Sequence, residues 1–157
     1  MDEYLLLRYL HILGATLLFG TGLGTAFHGW MGYRSGDPKV VAVVARNVVL
    51  ADWLFTAPAV VGQFVTGVLL AVTVGYGVTA SWIVAALVLY AITGACWLPV
   101  VWLQIQMAKM AKQAAFKGTP LPARYWRYSR YWFALGWPAF ISVLIIFHLM
   151  VSKPELW

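Results

Sequence analysis

Residues 81–107 read SWIVAALVLYAITGACWLPVVWLQIQM, and no residue in this stretch carries a charge. The hydrocarbon core of a bilayer is about 30 Å thick, and roughly 20 apolar residues cross it as a helix. The stretch therefore has the length and composition of a transmembrane helix. A transmembrane β-strand would alternate apolar and polar residues, and this run is continuously apolar.

Three further stretches have the same character. Residues 5–32 contain one charge, Arg8, residues 48–76 contain only Asp52, and residues 132–152 contain none. The 157-residue chain is 62% hydrophobic and 10% charged, which excludes a soluble enzyme and a disordered chain. The sequence predicts an all-α membrane protein, an antiparallel bundle of four transmembrane helices that forms one domain over residues 1–157.

The charges are divided unequally between the two sides of this bundle. We name the side of the N-terminus side A and the opposite side B. Side A has two cations, Arg8 and Lys153. Side B has the other nine of the 11 cations: Arg34, Lys39, Arg46, Lys109, Lys112, Lys117, Arg124, Arg127 and Arg130. Because cytoplasmic loops carry the excess of Lys and Arg, we expect both termini in the periplasm of a bacterial inner membrane. The partner of the basic loops is then the lipid bilayer and not nucleic acid.

Local patterns add two expectations about the helices. The third helix is predicted to continue past residue 107 as an amphipathic turn or two and to be broken by Pro120 and Pro122. In the first helix, Gly20 and Gly24 form a GxxxG pair. Such a pair permits close approach of another helix, so tight packing is predicted at these glycines; the alternative is that they leave room for a flat cofactor such as a porphyrin.

Two histidines are predicted to lie in the membrane near side A. His11 follows the start of the first helix, and His148 precedes Lys153 at the end of the fourth. Their depths agree within about 3 Å at 1.5 Å per residue. Two neutral imidazoles facing each other suit the axial ligation of haem iron. They also suit copper with Met150 as a third ligand, or each histidine forms its own separate hydrogen bonds.

Polar residues define a second layer near side B. His28, Asp52 and Gln104 fall at similar depth on three helices. They form either a proton entry or quinone headgroup site, or a structural set in which Asp52 lies near a helix N-terminus. Gln63 lies near the middle of the membrane, where its amide is predicted to bond another helix.

Four segments of the chain resemble a bacterial family of predicted integral membrane proteins of unknown function. They are RYLHILGATLLFGTGLG, VVLADWLFTAPAVVGQFVTGVLLA, LYAITGACWLPVVWLQIQM and YWFALGWPAF…LMVSKP. This resemblance implies a compact four-helix membrane protein and no particular activity. The start, Leu10-His11-Ile12 followed by a glycine-rich stretch, is similar to HemJ-type protoporphyrinogen oxidases and CopD-like copper proteins. The HemJ likeness implies haem b bound through His11.

Three functions follow as hypotheses. The first is a haem b protein with His11 and His148 as ligands, which passes electrons to or from a quinone or porphyrin-like partner or acts as a HemJ-like oxidoreductase. The second is a copper-handling membrane protein of the CopD type. The third is a non-catalytic accessory subunit that forms a homo-oligomer or packs in a larger membrane complex.

Overall fold

A computed structural model describes residues 2–77 and 79–157. Helices α1 (Glu3–Ser35) and α2 (Pro38–Ala51) are followed by a π-helix (Asp52–Thr56), α3 (Ala57–Thr73), α4 (Ser81–Lys117) and α5 (Ala123–Ser152). The segment from α2 to α3 is one continuous rod, so the described residues contain four helices long and apolar enough to cross a membrane. The predicted all-α membrane fold is confirmed.

The helices extend beyond the apolar stretches that predicted them. The second span begins at Pro38 and not at residue 48, and the fourth begins at Ala123 and not at residue 132. Asp37 caps the second span by accepting a hydrogen bond from the Lys39 N–H at 2.8 Å, and Pro38 fits the first helical turn. Hydropathy marks where charges appear, but a helix continues past that point when its next turns pack against a neighbour. As predicted, α4 ends before Pro120, at Lys117.

A core of buried hydrophobic side chains lies at side B. At 1.5 Å per residue, the 37 residues of α4 are about 55 Å long, well beyond the roughly 30 Å of a bilayer core. Its last turns join the beginnings of α2 and α5 in one hydrophobic core. The buried members are Val41, Leu103, Met107, Ala111, Ala114, Leu121, Tyr125, Tyr128 and Trp132. The core therefore lies at the basic end of the bundle.

Towards side A the helices pack mainly as two pairs, α1 with α3 and α4 with α5. Phe19 joins the pairs, with its ring centroid 5.6 Å from the rings of both Phe140 and Phe147. At the same end, the Leu156 N–H donates to the Ser81 hydroxyl at 2.9 Å. The C-terminal segment is thereby held against the start of α4.

The close helix approach in α1 is not where the GxxxG pair predicted it. A Cβ added at Gly20 or Gly24 would meet nothing within 4 Å, so that prediction is wrong within this chain. The tight position is Gly32, where an added Cβ would lie 2.7 Å from Val44 Cγ1. The turn at Gly36 has a φ of 65° and reverses the chain, which brings Gly32 of α1 against Val44 of α2.

Candidate functional site

His11 lies in the membrane half of α1 nearest side A, with its ring against α3. The ring is half-buried, and both of its nitrogens have a hydrogen-bond partner. Nδ1 lies 2.9 Å from the Thr66 hydroxyl oxygen, and Nε2 lies 3.1 Å from the Gln63 amide nitrogen. Gln63 and Thr66 are one helical turn apart on α3, so a single face of that helix holds the ring.

The hydrogen bonds of Thr66 determine which ring nitrogen of His11 carries the proton. The Thr66 hydroxyl donates to the Gly62 carbonyl at 2.7 Å, so its oxygen accepts from His11. A neutral imidazole has one N–H and one bare nitrogen. Nδ1 therefore bears the hydrogen, and Nε2 presents its lone pair to the Gln63 amide N–H. Thr66 fixes both the tautomer and the orientation of the ring.

Two glycines leave the space that this group occupies. A Cβ at Gly67 would lie 3.1 Å from the His11 ring carbon Cε1, and a Cβ at Gly14 would lie 2.5 Å from Gln63 Oε1. That amide oxygen is buried and has no hydrogen-bond partner among the described residues. The site therefore offers a ring nitrogen lone pair and an amide oxygen, both able to accept from or coordinate a ligand.

His148, the predicted partner of His11, lies on α5 with an exposed side chain. Its backbone carbonyl accepts from the Ser152 hydroxyl at 2.8 Å. The neighbouring Phe147 contacts Phe19, which brings this part of α5 to α1. The two histidine rings are not brought together, because the nitrogens of His11 are directed at α3. Their joint ligation of a haem iron or of copper stays a prediction.

The second predicted layer is centred on Asp52, the first residue of the π-helix. Ala57 donates its N–H to the Asp52 carbonyl, a spacing of five residues. Pro58 accounts for this widening, because its ring clashes with the carbonyl four residues earlier and it has no N–H to donate. The Asp52 side chain is 6% exposed. Its Oδ1 accepts from the Thr56 hydroxyl at 2.9 Å.

Gln104 of α4 lies beside the Asp52 carboxyl. It also lines a cavity of about 30 Å³ together with Ser129 and Trp132 of α5. Three buried polar atoms at this place have no partner among the described residues: Asp52 Oδ2, Gln104 Oε1 and Trp132 Nε1. His28 is exposed, and no hydrogen bond of its ring with a described residue joins it to this layer. Asp52 and Gln104 therefore meet as predicted, whereas His28 does not join them.

Sequence reasoning missed the pairing of His11 with Gln63 and Thr66. A signal for it was present, because His11 lies 25 residues before Gly36 and Gln63 lies 26 residues after Asp37. Residues at equal distances from a tight helical turn face each other in an antiparallel hairpin. The inference required the second helix to begin at Pro38, and hydropathy alone places that start ten residues too late.

Comparison with known proteins agrees with this architecture. No curated protein and no solved structure matches the chain. A family model described as a predicted integral membrane protein (DUF2269) matches residues 5–154, which include all four spans and both polar groups. The chain therefore belongs to the DUF2269 family of predicted integral membrane proteins.

Proposed function

We propose that this protein binds haem b in the membrane through His11 and serves as an electron carrier. One observation supports the proposal above all: the Thr66 hydroxyl accepts the Nδ1 hydrogen, so Nε2 carries the lone pair that a metal would take in place of the Gln63 amide. Histidines that ligate metals commonly donate their other N–H to such a partner, which orients the ring. A bound haem would supply one-electron transfer at its iron.

The residues around His11 would allow its ring to hold a haem iron as one ligand. Gln63 occupies Nε2 at 3.1 Å, and its amide is the far end of a flexible side chain that can give way to a ligand. Gly67 keeps the neighbouring surface of α3 flat, because a side chain there would contact the ring. Thr66 stays in place and holds Nδ1. His148 is the proposed second ligand, and a quinone or porphyrin-like molecule the proposed redox partner.

The visible spectrum of the detergent-purified protein tests this proposal. We expect a Soret band, with split visible bands after reduction, and loss of bound haem in His11→Ala. His28→Ala is the matched control, since His28 is an exposed histidine on the same helix. His148→Ala should either lose haem or leave a five-coordinate iron that binds carbon monoxide. A His11→Ala protein with an unchanged spectrum would contradict the ligand assignment.

The same purification separates the other hypotheses. If the protein purified from haem-replete cells is colourless and metal analysis finds copper bound to it, the copper-handling function is supported. Protein that retains neither group would favour the accessory subunit. Both outcomes would overturn the haem proposal.

We further propose that the protein lies in the bacterial inner membrane with both termini in the periplasm. The support is the charge division, in which nine of 11 cations lie at side B. In this orientation the hydrophobic core at side B reaches the cytoplasm. The His11 group then lies in the periplasmic half of the membrane.

A further inference from the structure

The Asp52 carboxyl is buried inside a membrane span without a cationic partner. Its side chain is 6% exposed, and no Lys, Arg or His side chain pairs with it in the part of the chain that the structure describes. An ionisable group in a transmembrane segment is costly and usually marks an ion or proton path. Here the cost is not offset by an ion pair.

The hydrogen bonds around Asp52 are short of one donor. An ionised carboxylate only accepts. Thr56 supplies a hydroxyl to Oδ1, whereas Oδ2 has no donor within the described residues. The Gln104 side chain forms a hydrogen bond with the carboxyl, and its Oε1 is a buried acceptor without a partner among the described residues. A proton on Oδ2 would remove the charge that lacks a cationic partner.

A metal ion fits this place poorly. No group of three His, Cys, Asp or Glu side chains capable of holding a metal occurs among residues 2–77 and 79–157. The third unpartnered atom, Trp132 Nε1, carries a hydrogen and would face a cation with its positive end. A single proton on Oδ2 neutralises the carboxyl without any further ligand.

A cavity large enough for water lies beside Gln104. It measures about 30 Å³, and a volume of roughly 10–15 Å³ on this scale holds one water molecule. Gln104 and Trp132 are among the residues that line it. Water in this cavity would lie next to the residue that hydrogen-bonds the Asp52 carboxyl.

We propose that Asp52 is a proton-binding site in the side-B half of the membrane, supplied by water in the cavity beside Gln104 and Trp132. A hydronium ion in that water transfers a proton to Oδ2, which forms an O–H bond and leaves a water molecule behind; the reverse step returns the proton, and no electron moves. The site adds proton uptake to the protein whether or not His11 binds haem.

The other titratable or charged groups on the packed helices form no hydrogen bond with the carboxyl within the described residues. They are His28 and Tyr33 on α1, Arg46 on α2, Lys109 on α4, and Tyr125 and Tyr128 on α5. His28, Arg46 and Lys109 are exposed. The proton-binding group of this layer is therefore the Asp52 carboxyl.

Infrared spectroscopy of the full-length protein in lipid nanodiscs tests the proposal. At neutral pH we expect the carbonyl stretching band of a protonated carboxyl, which shifts in D₂O. The other four acids, Asp2, Glu3, Asp37 and Glu155, are exposed and should contribute only carboxylate bands. The band should disappear in Asp52→Asn and persist in Glu155→Gln. Absence of the band in the wild type, or its persistence in Asp52→Asn, would overturn the proposal.

A second variant keeps the test decisive if Asp52→Asn does not fold. Gln104→Leu removes a hydrogen-bond partner of the Asp52 side chain but leaves the carboxyl. The carbonyl band of this variant should shift in frequency relative to the wild type. An unshifted band would show that the protonated group is not the carboxyl beside Gln104 and would also overturn the proposal. Gln106→Leu, two residues further along α4, is the matched control and should leave the band unchanged.

Discussion

At the scale of single residues, the His11 group shows how one hydroxyl selects the chemistry of an imidazole. We predict that Thr66→Val, which keeps the shape but removes the acceptor of the Nδ1 hydrogen, weakens haem binding by about 10- to 100-fold. Haem titration of the apoprotein measures this effect. Thr73→Val is the control, because that exposed hydroxyl donates to the Leu69 carbonyl of the same helix. Equal haem affinity in Thr66→Val and the wild type would show that Thr66 does not support the ligand.

At Gly32, α1 packs directly against Val44 of α2, and a methyl group there has no room. An added Cβ would lie 2.7 Å from Val44 Cγ1 and 2.9 Å from Val44 Cβ, which a rotamer change cannot relieve. We predict that Gly32→Ala lowers the free energy of unfolding by about 1–3 kcal/mol. Denaturant unfolding in mixed micelles measures it. Gly24→Ala should cost nothing, since open space surrounds Gly24 and alanine favours a helix; an equal loss in both variants would contradict the packing argument.

At the scale of elements, α4 has two environments along one helix. Ala111 is 0% exposed in the side-B core, whereas Ala91 on the same helix is exposed at membrane depth. We predict that Ala111→Leu overpacks the core and destabilises the protein by about 1–3 kcal/mol. Ala91→Leu should leave the stability nearly unchanged because an apolar leucine side chain is favourable against lipid. Thermal denaturation in detergent compares the two variants. Similar melting temperatures for both would show that Ala111 does not lie in a packed core.

At the scale of the whole molecule, the charge division predicts which end of the bundle faces the cytoplasm. In a Cys96→Ala background, Glu155→Cys should react with a membrane-impermeant thiol reagent in intact spheroplasts. Lys117→Cys should react only after the membrane is permeabilised. Both positions are exposed, so access is decided by the membrane alone. Labelling of the Lys117→Cys variant in sealed spheroplasts would reverse the proposed orientation.

The sequence by itself determined the number of spans and the class of the fold. Uncharged runs such as residues 81–107 must form helices in lipid, because each backbone polar group needs a partner within its own segment. The stop after α4 was equally local: Pro120 and Pro122 follow it, and the helix is capped at its end by Gly118, which adopts the left-handed conformation. These conclusions depend only on composition and covalent geometry, and the order of residues determines both.

The tertiary structure alone decided which polar groups meet. Depth along the membrane could be counted, so Asp52 and Gln104 were expected in one layer. The partners of His11 depended on the rotation of α1 and on the register of its hairpin with α3, which the turn at Gly36 and the contact of Gly32 with Val44 establish. In a mostly apolar helix, many rotations have similar hydropathy. Packing therefore selects one of them, and it turned His11 towards Gln63 and Thr66 and left His148 exposed.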